Sequence, residues 1–268
     1  MGGLLSERVG VMNIALEGLM LIGAFAAATG TYYTERPFLG LLIGVAAASL
    51  MTCVHAVWCV TLRGDQIVAG TAINLLGIGI PAFLVQRLFG TAGGTPSVER
   101  LPGIGGLNIL VPVAFLLVPI VQYVLFRTKP GLRVLAAGEH PQAAESVGID
   151  VVRYRYACVI ASGALAGLGG AYLSIGDLSG FTTNMTAGRG FIALAAVIFG
   201  NWTPFGTLAA TLLFGAAQAV RFQVQALDLP ISQDLIIALP YLLTLFAITG
   251  LVRHSTPPAG LGKHATAE

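Results

Sequence analysis

Four polar side chains interrupt long apolar stretches of this sequence and are the residues best suited to bind a polar solute. Glu17 stands alone among apolar residues, Asn13 precedes it by four positions, and Gln66 and Asn74 lie two helical turns apart in a second apolar stretch. A carboxylate at the centre of a bilayer costs about 2.5–3.5 kcal/mol on insertion scales. Glu17 is therefore expected to face protein or a wet cavity.

Two interpretations of these groups remain open. The spacing of four residues predicts that Asn13 and Glu17 share a helical face. In one interpretation, both face a polar path through the membrane and hydrogen-bond a polar solute. Alternatively, Glu17 caps the N-terminus of a broken helix, or pairs with Arg189, and so holds two parts of the protein together. For Gln66 and Asn74 the sequence favours interhelical hydrogen bonds, with a pathway role as the alternative.

The composition places these groups in a membrane. Of the 268 residues, 56% are hydrophobic and 10% are charged, whereas a soluble domain needs about a quarter of its residues charged. Several charge-free runs are long enough to cross a bilayer, which takes about 20 residues. No room remains between them for a sizeable soluble catalytic domain. The net charge of +2 gives no nucleic-acid signal, because the basic residues lie in short loops.

The apolar runs predict an all-α, polytopic transmembrane bundle of about eight segments. The predicted segments are 9–30, 38–62, 66–89, 107–126, 156–175, 186–201, 205–224 and 231–251. Segment 9–30 carries polar residues and segment 186–201 is short, so each is expected to be broken or re-entrant. An internal echo between 10–30 and 188–215 supports this, because paired interrupted segments often mark the central site of a transporter.

The other side chains that could react or bind a metal are expected to serve in packing. His55 and the three cysteines, Cys53, Cys59 and Cys158, lie within predicted segments, where small or neutral packing roles are expected. The four histidines are scattered and predict no metal site. The sequence contains no phosphate-binding loop, nucleophile elbow or zinc-protease motif. We therefore predict neither enzymatic activity nor a cofactor.

The distribution of basic residues predicts the orientation. Segment 127–155 holds five of the fourteen basic residues and is placed in the cytoplasm by the positive-inside rule. Alternation then places 90–106 outside and the short tail, 253–268, inside. The chain is thus a single transmembrane domain, 1–252, followed by this tail. The N-terminus lies inside as well, unless 9–30 is re-entrant.

The most polar cytoplasmic loop predicts a short helix. Pro141 suits a first helical position, and Gly148 can end a helix in the left-handed conformation. The result is a helix of about two turns, Pro141 to Val147, with Ala143, Ala144 and Val147 on one face. So short a helix is not stable alone. It either docks into a groove or lies on the lipid headgroups.

This loop resembles the coupling helix of ABC importer permeases, in the branch that handles branched-chain amino acids, simple sugars and nucleosides. The positions concerned are Gly138, Glu139, Pro141, Ala143, Ala144, Gly148 and Ile149. Stretches 6–25 and 188–202 resemble two further signatures of the branch, and 65–75 resembles a third. The Asn-Ile and Leu-Glu-Gly sequences within 13–18 are most similar to nucleoside-type permeases.

The resemblance implies a multi-pass permease subunit of the bacterial cytoplasmic (inner) membrane that carries nucleosides or related simple sugars. It implies three protein partners besides membrane lipid: a separate ABC ATP-binding subunit, a second permease subunit, expected as a heterodimer, and an extracytoplasmic substrate-binding protein. The alternatives are a permease for branched-chain amino acids and an ion-coupled secondary transporter. Relatives also carry a further helix ahead of Ser6, so the chain is expected to be a fragment or to begin at a misplaced initiation codon.

Overall fold

The structure, a computed structural model, describes residues 1–226 and 255–263. The predicted segment 231–251 lies outside these residues. The described part contains ten α-helices and one two-stranded antiparallel hairpin. The elements are α1 (Gly2–Arg8), α2 (Leu16–Thr34), α3 (Pro37–Ala56), α4 (Gln66–Phe89), β1 (Gly103–Ile104), β2 (Leu107–Asn108), α5 (Leu110–Arg127), α6 (Lys129–Glu139), α7 (Pro141–Ser146), α8 (Val151–Ala171), α9 (Arg189–Phe199) and α10 (Pro204–Ala226).

Among the described residues, four helices are long and apolar enough to cross a membrane. They are α4, α5, and the extended forms of α3 and α8, each of which continues without interruption into a short π-helical stretch. The extended α3 ends at Thr61 and the extended α8 at Asp177. Helix α9 and most of α10 are apolar but shorter. The chain is therefore a mostly helical, multi-pass membrane protein.

Glycines allow the central helices to pack closely. A Cβ built on Gly23 of α2 would lie 2.7 Å from the Cα atom of Gly167 in α8, and one built on Gly163 would overlap the side chain of Thr52 in α3. Such close backbone approach replaces the hydrophobic drive that is missing between helices in lipid. Helices α2, α3 and α8 thus form the tightly packed centre of the described structure.

The first predicted segment is broken near its start. Helix α1 ends at Arg8 and α2 begins at Leu16, and residues 9–15 between them, the α1–α2 loop, are not helical. Gly10 has a left-handed φ of 92°, which glycine adopts without steric cost. Asn13 lies in this loop, so the prediction that it shares a helical face with Glu17 is wrong. Polar partners on other helices stabilise the loop instead.

The connecting segments gather at two separate ends. At one end, the segment before the hairpin bonds to the segment after α8, for example from Thr95 N–H to the Phe181 carbonyl at 2.9 Å and from Val98 N–H to the Ser179 carbonyl at 2.8 Å. At the other end, the α6–α7 region meets the start of the α1–α2 loop and the α9–α10 corner. This is the grouping that the predicted alternation of inside and outside loops requires.

Candidate functional site

Side chains of α4 hold the unwound backbone of the α1–α2 loop. The Oε1 atom of Gln66 accepts a hydrogen bond from Met12 N–H at 2.7 Å. The Asn74 side chain donates to the Ile14 carbonyl at 3.0 Å and accepts from Gly18 N–H at 2.8 Å. Non-helical backbone buried between helices needs partners of this kind because its N–H and C=O groups are not paired within a helix. The interhelical hydrogen bond that the sequence favours for Asn74 is thus present, to Gly18 of α2, whereas Gln66 bonds to the non-helical loop.

Two further helices contact the same loop. Asn13 is fully buried, and its Nδ2 group donates to the Ser162 hydroxyl of α8 at 3.0 Å. His55 of α3 is also fully buried, with Nε2 lying 3.3 Å from the Met12 carbonyl oxygen. Among the described residues, the Oδ1 atom of Asn13 and the Nε2 atom of Gln66 are buried without a hydrogen-bond partner. These two atoms keep unused hydrogen-bonding capacity beside the loop.

Glu17 caps the N-terminus of α9. Its Oε1 atom accepts from the Thr186 hydroxyl at 2.5 Å and from Gly188 N–H at 2.7 Å, and its Oε2 atom accepts from Gly190 N–H at 2.6 Å. A carboxylate is favourable there because the first N–H groups of a helix lack partners and carry partial positive charge. Arg189 does not pair with Glu17 in this arrangement; its guanidinium donates to nearby backbone carbonyls.

The Glu17 cap joins the two segments that the sequence marks as interrupted. Glu17 lies in the first turn of α2, and α9 is a short helix of 11 residues. The capping alternative is therefore the one that the structure displays. It does not test a pathway role, because a group that fixes a helix end can also border a path.

Helix α7 forms where the sequence predicts it, but with a different exposed face. It spans Pro141–Ser146, and Gly148 follows with a φ of 82°. Ala144 is buried in the core, whereas Ala143 and Val147 are exposed, Val147 by 75%. The prediction that Ala143 and Ala144 share one face is wrong, because neighbours on a helix are rotated by about 100°. The exposed face is made by Gln142, Ala143, Ser146 and Val147.

The residues before α7 are tied to α1 and to the α9–α10 corner. Arg8 forms an ion pair with Glu139 at 3.7 Å, and its Nε group donates to the Trp202 carbonyl at 2.6 Å. The indole N–H of Trp202 donates to the buried carboxylate of Glu7. Burial raises the pKa of Glu7 to about 7, although the hydrogen bond from Trp202 opposes this shift.

Sequence reasoning missed this polar cluster and helix α6. Helix α6 is amphipathic and buries Val134 and Ala137 against the core, and the spacing of these small apolar residues was the available signal. The contact of Glu7 with Trp202 joins residues 195 positions apart. No local pattern could have indicated it.

The described residues offer hydrogen bonding and anchoring rather than covalent chemistry. They contain no group of three or more histidine, cysteine, aspartate or glutamate side chains placed to hold a metal ion. Their polar interior groups fix an unwound loop and a short helix, and a small helix projects from one end of a membrane-spanning bundle. These features describe a polytopic membrane protein with buried polar groups between its helices.

The chain belongs to the family described as branched-chain amino acid transport system / permease component, which matches residues 1–248. It is 38% identical over 288 residues to the guanosine ABC transporter permease protein NupQ of Bacillus subtilis, covering 98% of this chain and 90% of that protein. It is also 38% identical to the nucleoside ABC transporter permease protein NupC of Lactococcus lactis, covering 80% of this chain and 74% of the relative.

A third relative is named for a different solute. The putative glucose ABC transporter permease protein TsgC13 of Haloferax volcanii is 34% identical, covering 87% of this chain and 75% of the relative. No solved structure matches. The resemblance to ABC permeases of the nucleoside type is thus confirmed, and the chain is a membrane permease of an ABC transporter.

Proposed function

We propose that this chain is the permease subunit of an ATP-driven importer for nucleosides or related simple sugars. The observation that carries the proposal is the 38% identity to guanosine and nucleoside permeases. The putative glucose permease among the relatives supports the inclusion of simple sugars. The importer is assigned to a bacterial cytoplasmic membrane. Its full domain has about eight membrane segments: the four spanning helices, α2, α9, α10 and 231–251, which lies outside the described residues.

Helix α7 is proposed as the coupling helix that docks into the ABC ATP-binding subunit. Pro141 and Ala144 anchor it to the core, and its outer face presents Ala143 and the apolar side chain of Val147. A helix of six residues has little stability of its own. Its position is therefore set by the core beneath it, and its exposed face is free for a partner.

Further partners complete the proposed importer. A second permease subunit, as a heterodimer, would lie beside the spanning helices, whose lipid-facing sides are rich in exposed apolar residues. An extracytoplasmic substrate-binding protein would deliver the solute to the end of the molecule that carries the hairpin.

The four intramembrane polar residues are proposed to border the pathway in two different ways. Asn13 and Gln66 each have a buried amide atom without a partner among the described residues, so they can hydrogen-bond a polar solute once the path opens. Glu17 and Asn74 already use both of their polar atoms on backbone or hydroxyl groups. They act by holding the loop and α9 in place.

A branched-chain amino acid substrate is the second candidate, because the description of the family names it. The two candidate substrates are distinguished by uptake of radiolabelled guanosine. Uptake is compared between cells that lack the chain and cells to which the chain has been restored. Restored uptake that is inhibited by unlabelled uridine and ribose supports the proposal. Uptake of labelled leucine without uptake of guanosine indicates an amino acid permease. If none of these solutes is taken up, the proposed substrate is wrong.

The coupling role is tested by Val147→Glu. Because Val147 is exposed, the variant should fold normally, but a charge in the docked interface should cost about 2 kcal/mol or more of binding free energy, as truncated interface hot spots do. We expect the ATP-binding subunit to be lost on purification and uptake to fall with it. Leu107→Glu is the matched control, since Leu107 is also an exposed apolar residue but lies in the hairpin. Unchanged co-purification of the ATP-binding subunit with Val147→Glu would refute the coupling role.

A further inference from the structure

The last described residues, 255–263, form a non-helical segment with turns at 259–262, which we name the C-terminal strap. It begins at the α9–α10 corner. There the Ser255 hydroxyl donates to the Ile198 carbonyl at 3.2 Å, and Thr256 N–H donates to the Asn201 side chain at 3.0 Å. The strap is thus fixed to the end of α9 although the sequence suggests only a short tail.

The strap next contacts the two residues at the end of α6, directly ahead of α7. Ala259 N–H donates to the Oε2 atom of Glu139 at 3.0 Å. Gly260 N–H donates to the Gly138 carbonyl at 2.8 Å. One contact uses a side chain and the other uses the backbone, so the strap fixes both the orientation of Glu139 and the path of the chain.

The strap ends on the α1–α2 loop. Gly262 N–H donates to the Gly10 carbonyl at 3.1 Å. Leu261 packs against the core cluster that also contains Ala137 and Ala144. The strap therefore connects the α9–α10 corner, the α6–α7 junction and the α1–α2 loop within nine residues.

The fit at Gly260 leaves no room for a side chain. A Cβ atom built there would lie 2.6 Å from the Gly138 carbonyl oxygen and 3.1 Å from the Cδ atom of Pro141. Real Cβ atoms do not approach backbone oxygen so closely, so a larger residue must displace either the strap or the start of α7. Gly260 is therefore a position at which a side chain would separate the strap from the start of α7.

We propose that the C-terminal strap is a positioning element for α7. It holds the base of the coupling helix rigidly against α1 and the α9–α10 corner, so that movement of α7 is passed to these elements and not lost in bending of the loop. The residues that act are Gly260, through its backbone, and Glu139, as acceptor for the Ala259 N–H group of the strap. This proposal rests on the proposed role of α7.

The test uses the full chain, assembled in proteoliposomes with its second permease and ATP-binding subunit and supplied with the substrate-binding protein. It measures guanosine uptake and ATP hydrolysis together. Gly260→Val should leave the ATP-binding subunit bound and ATP hydrolysis intact. Uptake per ATP hydrolysed should fall by about tenfold, the size of a typical coupling between two sites. Gly79→Val is the matched control, because a Cβ on Gly79 meets no atom within 4 Å.

A second pair of variants tests the strap without a steric change. Glu139→Ala removes the acceptor for Ala259 N–H and should lower uptake per ATP in the same direction. Glu139→Gln keeps a side-chain oxygen at that place and should restore most of it. The half-exposed position of Glu139 makes both variants compatible with folding.

The outcomes separate this proposal from the proposed function. Wild-type uptake per ATP with Gly260→Val overturns the positioning role, as does equal impairment by Glu139→Ala and Glu139→Gln, which would assign the effect to charge. If Gly260→Val fails to reach the membrane, the Glu139 pair decides. Failure of the coupling role gives a different result: the Val147→Glu variant would still bind the ATP-binding subunit.

Discussion

Replacing Glu17 tests whether its main task is to hold α9 or to contact a solute. In Glu17→Gln, the side chain keeps its length but loses its charge and one of its two acceptor oxygens. One of the N–H groups of Gly188 and Gly190 then faces an NH2 group in place of an oxygen. Glu17→Ala leaves both N–H groups and the Thr186 hydroxyl without this partner.

The size of the effect follows from these contacts. A buried donor left unpaired costs about 1–3 kcal/mol, and loss of a negative charge at a helix N-terminus costs about 0.3–1 kcal/mol more. We therefore expect Glu17→Gln to lower the free energy of unfolding by about 1–4 kcal/mol, and Glu17→Ala, which leaves three donors unpaired, by about 3 kcal/mol or more. Free energies of unfolding are typically about 5–15 kcal/mol, so a loss of this size should be measurable.

Unfolding in detergent, followed by circular dichroism against increasing SDS or temperature, measures this loss. Glu35→Gln is the matched control, because Glu35 is an exposed carboxylate just beyond the other end of α2. If Glu17→Gln is as stable as Glu35→Gln, the capping account is refuted. A variant that keeps its stability but no longer carries solute would assign Glu17 to the pathway.

Three further predictions concern other buried contacts. Asn74→Leu should lower the unfolding free energy by about 2 kcal/mol or more, because two backbone groups beside it lose their partner; SDS unfolding measures this. Gly23→Val should prevent the close approach of α2 to Gly167, so that less folded protein is recovered in detergent than with Gly79→Val. For Glu7, burial raises the folded-state pKa from 4.5 to about 7, so stability should fall as pH rises across this range and level off above it. Glu7→Gln should abolish that dependence in thermal melts at several pH values.

A specific result would contradict each of these predictions. Wild-type stability of Asn74→Leu would show that the α1–α2 loop does not need its partner on α4. Equal recovery of Gly23→Val and Gly79→Val would remove the argument from close helix packing. A Glu7→Gln variant with the same pH dependence as the parent chain would show that another group titrates there.

Much of the helical architecture could be predicted because hydropathy in a bilayer is a strong signal. The bounds predicted for α3, α4 and α10 agree with the structure within a few residues. The two interrupted segments could be recognised from the polar residues of the first and the shortness of the second. A lone carboxylate in an apolar run requires a partner, and a capped helix end is one of the arrangements that this requirement allows.

The remaining features depend on contacts between distant parts of the chain. The break at 9–15 results from partners on α3, α4 and α8, which no local pattern contains. The buried face of α7 depends on how Ala144 meets the core, and the strap depends on contacts more than 100 residues apart. For these features, tertiary packing decides between local conformations that the sequence leaves nearly equal.

The most direct test of the central claim is guanosine transport in proteoliposomes that contain this chain with its second permease and ATP-binding subunit. With the substrate-binding protein present, we expect labelled guanosine to move only when ATP is supplied on the side of the ATP-binding subunit. An imposed proton or sodium gradient should not replace ATP. Transport driven by an ion gradient in the absence of ATP and the ATP-binding subunit would contradict the account and identify a secondary transporter.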